Sequence, residues 1–173
     1  MAEPAPTPIP IPEGPEVRLW RALEAVSDPE IPVLSVVDLG VVRDVEVSGD
    51  AAVVTITPTY SGCPAMAYIE MMVRDALLGA GFDKAEVKTV LAPAWTTDWL
   101  SEAGREKLKA IGIAPPAEQS TSKKSLLGID PVVACPRCGS EHTEILSQFG
   151  STACKALYRC ADCAEPFDYF KCL

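Results

Sequence analysis

Two Cys-x-x-Cys pairs lie near the end of this 173-residue chain, Cys135 with Cys138 and Cys160 with Cys163. Two intervening residues let a tight turn bring both sulfurs of a pair together, and two such turns complete a tetrahedron of thiolates suited to Zn²⁺. Such a site is structural, because four thiolates leave no coordination position open for a substrate. We therefore expect a zinc-ribbon-like β module over residues 131–173 with these four cysteines as metal ligands.

Other chemistry is open to the same cysteines. Four thiolates also suit an iron–sulfur cluster, and one pair could instead be free or disulfide-bonded. The stretch between the pairs has room for two strands and a turn, at 143–149 and 155–159. Cys154 and Cys172 lie outside the pairs, and each could be a cluster ligand, a disulfide partner or a packed thiol.

Cys63 is the strongest candidate for chemistry elsewhere in the chain. The run Ser-Gly-Cys-Pro at 61–64 places its sulfur at the cap of a predicted helix. The free N–H groups and partial positive charge of a helix start favour the thiolate, which can bind metal or be oxidised. The alternative is a buried cysteine that packs as a small apolar side chain.

Carboxylates and hydroxyls could complete a site around this thiol. Asp28 and Glu30 lie in a predicted turn with Asp38 nearby in sequence, so they could supply carboxylate ligands, although Asp28 could equally be an ordinary turn residue. The hydroxyls of the strand-to-helix loop could line the same cleft, but hydroxyls at turns usually bond the local backbone. They belong to Thr57, Thr59 and Tyr60.

A single histidine, His142, limits the chemistry further. It excludes sites built on several histidines, and we expect it at the surface.

Hydrophobic periodicity predicts a small α+β domain. Helical spacing indicates helices over 15–26 and 66–80, and a third that ends at Gly112 after a cap at Asp98 or Ser101. Val- and Ile-rich runs indicate strands over 41–47, 52–56 and 85–91, and Gly49 supplies the turn of a hairpin between the first two. The predicted order is α-β-β-α-β-α.

Composition shifts divide the chain into four parts. Prolines recur through residues 1–14, which predicts a disordered tail before the α+β domain at 15–112. Residues 113–130 are rich in Pro, Ser, Thr, Lys and Gly and predict a linker to the ribbon at 131–173. A ribbon of this size needs a metal to fold, and a linker with few apolar residues predicts two units that unfold separately.

Charge and hydropathy exclude several partners. The formal net charge is −9 with no basic cluster, so we expect no nucleic-acid binding. No apolar run approaches the roughly 18 residues of a membrane span, and no signal peptide begins the chain, so we expect a cytoplasmic protein without a membrane partner. An odd number of cysteines, seven, also argues against a secreted disulfide framework.

The α+β part resembles the iron–sulfur maturation family that includes SufT. Four stretches carry the resemblance: Asp-Pro-Glu-Ile-Pro at 28–32, Val-Asp-Leu-Gly-Val-Val at 37–42, Thr-Pro-Thr-Tyr-Ser-Gly-Cys-Pro at 57–64 and Trp-Thr-Thr-Asp-Trp at 95–99. The resemblance implies that Cys63 is a reactive thiol or transient metal ligand. It also implies that Asp28, Glu30 and Cys63 all occupy positions of the family's motif.

The C-terminal cysteine pairs, with Phe-Gly-Ser-Thr-Ala-Cys at 149–154 and Pro-Phe-Asp-Tyr-Phe-Lys-Cys at 166–172, resemble the D-subunit family of bacterial phenylacetyl-CoA epoxidase systems. This implies a role in aerobic phenylacetate degradation, as an accessory that supports iron or iron–sulfur centre assembly. The implied partners are the di-iron oxygenase and its flavin and [2Fe–2S] reductase, and a homo-oligomer is also open.

The residues themselves favour an accessory over an enzyme. The chain has no Glu-x-x-His motifs of a di-iron oxygenase and no Gly-rich dinucleotide fingerprint. We therefore expect no catalytic activity of its own. The alternative function is a stoichiometric structural component of the epoxidase complex with no iron-handling role, and a thiol oxidoreductase is a weaker third.

Overall fold

Two β-sheets organise the chain in the computed structural model, which describes residues 14–60, 62–116 and 132–171. The tail expected at 1–14 is represented by Gly14 alone, and the rest of it lies outside the described residues. Most of the expected linker and Cys172 also lie outside them.

The first sheet and its helices follow the predicted order. In chain order the elements are α1 (Pro15–Glu24), β1 (Val42–Ser48), β2 (Ala51–Ile56), α2 (Met66–Gly79), β3 (Lys84–Thr89), a 3₁₀ turn (Thr97–Trp99) and α3 (Glu102–Ala110). The α+β fold class is therefore confirmed, with boundaries that shift by a few residues. Ser101 is the cap of α3, because its hydroxyl accepts from the Gly104 N–H at 2.9 Å.

Strand β2 lies at the centre of the first sheet. It pairs antiparallel with β1 through the predicted hairpin and parallel with β3 through α2. Alternate residues of β2 are buried, as expected for a strand with one face against a core. The same buried cluster holds the apolar faces of the first two helices: Leu19, Leu23, Ile69, Val73 and Leu77.

The second sheet contains more strands than the sequence predicts. It consists of β4 (Ile113–Ala114), β5 (Thr143–Ser147), β6 (Lys155–Cys160) and β7 (Pro166–Phe170), in the spatial order β4-β7-β6-β5. The two predicted ribbon strands are present as β5 and β6, whereas β4 and β7 were missed. The first two residues of the predicted linker form β4 and pair in parallel with β7.

Side chains from the C-terminal part enter the core of the first part. Cys154 and Phe170 belong to the same buried cluster as helices α1 and α2, and Ile113 does too. A second cluster, built around Tyr158 and Cys160, lies within the ribbon. Apolar contacts therefore couple the two parts, contrary to the expectation from the linker composition: Cys154 and Phe170 come from the ribbon, and Ile113 is the first residue of the predicted linker.

Within the part of the chain that the structure describes, none of the helices is long and apolar enough to cross a membrane.

Candidate functional site

The four ribbon cysteines converge as their spacing predicts. Their sulfurs all lie within 4.8 Å of one another, which makes them a compact group of potential metal ligands. Cys135 and Cys163 have their sulfurs 3.8 Å apart, and Cys138 and Cys160 have theirs 3.6 Å apart. Four sulfurs at the Zn–S distance of about 2.3 Å in a tetrahedron are separated by about 3.8 Å, so the donor set fits Zn²⁺.

Two turns hold these sulfurs. In the first, the Gly139 N–H donates to the Cys135 carbonyl at 2.9 Å, and Gly139 has a φ of 76° that suits glycine. In the second, the N–H groups of Cys163 and Asp162 donate to the Cys160 sulfur and lower the pKa of that thiol to about 7. Backbone donors therefore favour the thiolate form that a metal requires.

Salt bridges and side-chain hydrogen bonds join the two turns at the surface. Arg137 contacts Glu165 at 2.8 Å, and the Ser140 hydroxyl donates to Asp162 at 2.5 Å. His142 lies beside Asp162 with 80% of its side chain exposed, so the prediction of a surface histidine is confirmed.

Cys63 lies two residues before Ala65, the N-cap residue of α2. The Ala65 N–H and the Tyr60 hydroxyl both donate to its sulfur. The side chain is half-buried and packs against the main core. Cys63 is therefore close to the helix start, but it is not the cap residue that the sequence led us to expect.

The expected effect on the Cys63 thiol is wrong in sign. Burial raises its pKa, the Ala65 and Tyr60 donors lower it, and the negative charges of Glu30 and Asp28 raise it again, with a net increase. The same surroundings raise the pKa of Tyr60 to about 12, chiefly through burial. The helix start contributes as predicted, but desolvation and the neighbouring carboxylates exceed it.

Asp28 and Glu30 form the acidic turn of this site. Asp28 Oδ1 accepts from the N–H groups of Glu30 and Ile31, both at 2.8 Å, so one of its oxygens shapes the turn. Burial raises the pKa of the Asp28 carboxyl despite these donors. Glu30 is half-buried, and its Oε2 accepts from the Cys154 thiol at 3.4 Å. Asp28 thus positions the turn, and Glu30 presents a carboxylate towards the sulfurs.

Asp38 has a different role from these two carboxylates. Its Oδ2 accepts from Lys107 Nζ at 2.6 Å and from the Ser35 N–H and hydroxyl, both at 2.9 Å. Its Oδ1 lies 3.2 Å from the donating hydroxyl of Ser101. Asp38 therefore links α3 to the loop before β1 through hydrogen bonds, and its oxygens are not available to a metal.

The strand-to-helix loop contributes one hydroxyl to the site and buries another. Tyr60 reaches Cys63, as described above, whereas Thr57 is 1% exposed and its hydroxyl has no hydrogen-bond partner among the described residues.

Cys154 is the residue that sequence reasoning failed to place here. It lies immediately before β6, 5% exposed, with the Thr152 hydroxyl 3.1 Å from its sulfur. Burial raises the pKa of this thiol to about 11. Its spacing from Cys160 indicates only that both residues lie on one strand face. In the structure Cys154 lies in the turn before β6, and the side chains of Cys154 and Cys160 belong to different buried clusters.

Comparison with known proteins assigns both parts of the chain. Residues 16–89 match the family model of the iron–sulfur cluster assembly protein, and residues 119–171 match the model of the PaaD zinc beta ribbon domain. The crystal structure of a domain of unknown function from Bacillus anthracis is 34% identical, with a TM-score of 0.51, and the match covers 54% of this chain and 91% of that one. Fold and site therefore define an iron–sulfur cluster assembly domain followed by a zinc-ribbon-type metal-binding module.

Two similar proteins of known description indicate which iron–sulfur assembly proteins this chain is related to. A protein of Escherichia coli K12, described as the D subunit of a "Putative 1,2-phenylacetyl-CoA epoxidase", is 51% identical over 155 residues, which cover 90% of this chain and 92% of the relative. An "Fe-S protein maturation auxiliary factor" of Porphyromonas gingivalis is 39% identical over 89 residues, which cover 50% of this chain and 84% of the relative. This chain belongs to the D-subunit family of phenylacetyl-CoA epoxidases, as its sequence motifs indicated.

Proposed function

We propose that this protein is an accessory subunit that supports assembly of iron or iron–sulfur centres in the oxygenase or reductase of a phenylacetyl-CoA epoxidase system. Iron is the cargo in this function, and Cys63 is the thiol that binds it transiently. The observation that carries the proposal is the position of Cys63 close to the start of α2 beside the acidic turn of Asp28 and Glu30. The names of the two curated relatives support both halves of it.

The chemistry of this site suits a carrier. A thiolate is a ligand of choice for iron in clusters, and neighbouring carboxylates favour the approach of a cation. Cys63 is only half-buried, so a partner can reach it. A site with few protein ligands leaves coordination positions open, and these permit exchange with the acceptor.

The ribbon has a separate part in the proposal. We propose that Cys135, Cys138, Cys160 and Cys163 hold a resident Zn²⁺ whose chemistry is structural, since four thiolates close the coordination sphere. An iron–sulfur cluster is the alternative occupant. Metal analysis and an absorption spectrum of anaerobically purified protein separate the two: colourless protein with about one zinc per chain supports zinc, and brown protein with iron and sulfide supports a cluster.

The role of Cys63 is tested in cells that depend on the epoxidase. A strain without this protein is complemented with the wild type or with Cys63→Ser, and the iron content of the purified oxygenase and reductase is measured. We expect Cys63→Ser to lower iron in one of them and to lower epoxidase activity in proportion. Met71→Ala, a 49% exposed residue of α2, is the matched control that removes neither thiol nor carboxylate. Full iron loading with Cys63→Ser would overturn the role of this thiol.

A stoichiometric structural component of the epoxidase complex is the second candidate function. The ribbon exposes large apolar side chains at Leu146 and Phe149, 50% and 61% exposed, which could contact another protein of the complex. This function predicts co-purification with the oxygenase in a fixed ratio and partners that keep their iron when this protein is deleted. Loss of iron on deletion would favour the accessory function instead.

A further inference from the structure

Cys154 is held by the first part of the chain although it belongs to the C-terminal part in sequence. Its side chain lies in the cluster that contains the α1 and α2 residues, and not in the cluster around the four ribbon sulfurs. Its thiol donates to Glu30 Oε2 at 3.4 Å, a contact between residues separated by 124 positions. The turn before β6 therefore directs this sulfur away from the ribbon metal and towards the acidic turn.

Cys63 and Cys154 share the same neighbours. The charges of Glu30 and Asp28 act on both thiols. Tyr60 donates to Cys63 and is influenced by Cys154 as well. Cys154 contacts the acidic turn directly, and Cys63 packs against the same core cluster, close enough for the charges of that turn to act on it.

The charges around this turn favour a cation. Among the described residues, neither Asp28 nor Glu30 forms a salt bridge. Lys155 acts on Asp28, but its Nζ lies 3.7 Å from Asp168 Oδ2. Lys171 acts on Cys154, but its ammonium lies 4.3 Å from the centre of the Phe149 ring. Both lysines have other partners, so the turn keeps negative charge that a bound cation would neutralise.

We propose that Cys63, Cys154 and Glu30 bind iron together, so that the ribbon supplies the second thiolate of a site that the α+β part begins. Two thiolates and a carboxylate suit Fe²⁺ or an iron–sulfur cluster and disfavour Mg²⁺ and Ca²⁺, which prefer oxygen alone. Each thiol releases its proton to solvent as it binds, and the oxidation state of the iron does not change. The site takes iron as a ferrous ion or as a preformed cluster, and the experiment below separates these sources.

This site differs from the tetrathiolate in compactness. Within the described part of the chain, the ribbon cysteines are the close group of three or more potential metal ligands, and the three ligand atoms of this site do not form such a group. Iron must therefore draw the side chains together, or a cluster must span them, and either arrangement favours release over permanent retention. The inference rests on the proposed function and deepens it, because it makes the contact between ribbon and α+β part a requirement for iron binding.

The test uses the full chain, purified anaerobically with its ribbon occupied by Zn²⁺. In one arm Fe²⁺ is added, and in the other a [2Fe–2S] complex of glutathione, whose thiolates leave as protein thiolates replace them. Iron per chain is measured after desalting, with zinc measured in the same samples. We expect iron to bind in at least one arm, and Cys154→Ser or Cys63→Ser to weaken it by at least about tenfold while zinc is unchanged.

Two further variants show whether a loss of iron binding comes from loss of a ligand or from misfolding. Glu30→Gln keeps the shape of a half-buried side chain, and we expect it also to weaken iron binding by about tenfold. Ser151→Ala is the matched control, because it removes an exposed hydroxyl of the same turn that lies 3.5 Å from Asp168 Oδ2 and has no part in the proposed site. It should bind iron like the wild type.

The outcomes separate this inference from the proposed function. If Cys63→Ser loses iron and Cys154→Ser binds it like the wild type, the second thiolate is disproved and the accessory function stands. If both variants bind like the wild type, both proposals fail. Wild-type protein that binds no iron in either arm would also overturn the shared site.

Discussion

The edge of the Trp95 ring meets the Phe170 ring, with centroids 6.0 Å apart and ring planes at 84°. Trp95 follows β3 in the α+β part, and Phe170 ends β7 in the ribbon. Both side chains are almost fully buried, and the Trp95 indole N–H donates to the Leu39 carbonyl at 2.8 Å. The ribbon is therefore anchored in the core of the first part by an aromatic pair.

Phe170→Ala is expected to lower the free energy of unfolding of the whole chain by about 3–5 kcal/mol, because it leaves a cavity beside Trp95. Denaturant unfolding followed by circular dichroism measures the loss. Phe149→Ala is the matched control, since Phe149 is 61% exposed and its ring faces the ammonium of Lys171. It should cost less than about 1 kcal/mol. Equal losses for the two variants would contradict the anchoring role.

Metal removal is expected to disturb both parts of the chain. Chelation, or Cys135→Ser, should unfold the ribbon, because its strands enclose a small core that depends on the four thiolates. Phe170 and Cys154 would then leave the first core, so the α+β part should lose stability too. Tryptophan fluorescence reports this loss, because the tryptophans all lie in the α+β part. They are Trp20, Trp95 and Trp99.

Restoring zinc after chelation should restore the tryptophan spectrum, which controls for irreversible damage. Limited proteolysis completes the test. Cuts confined to residues beyond 113, with tryptophan fluorescence unchanged, would show that the two parts are independent, as the sequence alone suggested.

Local features of the fold were predictable, and pairings between distant segments were not. The β1–β2 hairpin follows from the Val-rich runs on either side of Gly49, and the cysteine pairs carry their geometry in their spacing. Strand β4 is two residues long and exists because it pairs with β7, which lies far along the chain. No periodicity is visible in so short a strand.

The site shows the same limit. The sequence placed Cys63 at a helix start and Asp28 and Glu30 in a turn, which are local properties. Burial and the carboxylates of the acidic turn raise the Cys63 pKa, and neither effect is visible in the local sequence. The contact of Cys154 with Glu30 joins residues 124 positions apart, so it depends on how the ribbon packs.

Gly40→Ala is expected to destabilise the protein strongly. Gly40 has a φ of 65°, and a Cβ there would lie 2.2 Å from the Trp99 carbonyl oxygen. The left-handed conformation costs about 1–2 kcal/mol in an L-residue, and displacing the backbone of Trp99 adds about 1–3 kcal/mol.

Gly49→Ala separates these two costs. Gly49 has a φ of 59° at the hairpin turn, but a Cβ there would meet nothing within 4 Å. This variant should lose only about 1–2 kcal/mol, the conformational cost alone. Denaturant midpoints measure both variants, and similar losses would mean that the Trp99 contact relaxes without cost.

Asp38 is expected to make stability depend on acid pH. Burial alone would raise its pKa, but the Lys107 ammonium and the Ser35 donors exceed this and leave the pKa lowered. A carboxyl with a lowered folded-state pKa stabilises the protein above its unfolded pKa of about 3.9, and this stabilisation is lost as the pH falls through the folded value. At neutral pH, Asp38→Asn should therefore cost about 1–2 kcal/mol, because a charge-assisted hydrogen bond is lost while Lys107 remains half-exposed.

The measurement is the free energy of unfolding of wild type and Asp38→Asn from pH 7 down to about pH 3, a range that spans the unfolded pKa of an aspartate. The ribbon loses its metal in acid in both proteins, because its thiolates take up protons, so only the difference between them reports on Asp38. That difference should be largest at neutral pH and should shrink below about pH 4. A difference that stays constant with pH would mean that Asp38 stabilises α3 through its shape and neutral hydrogen bonds rather than through its charge.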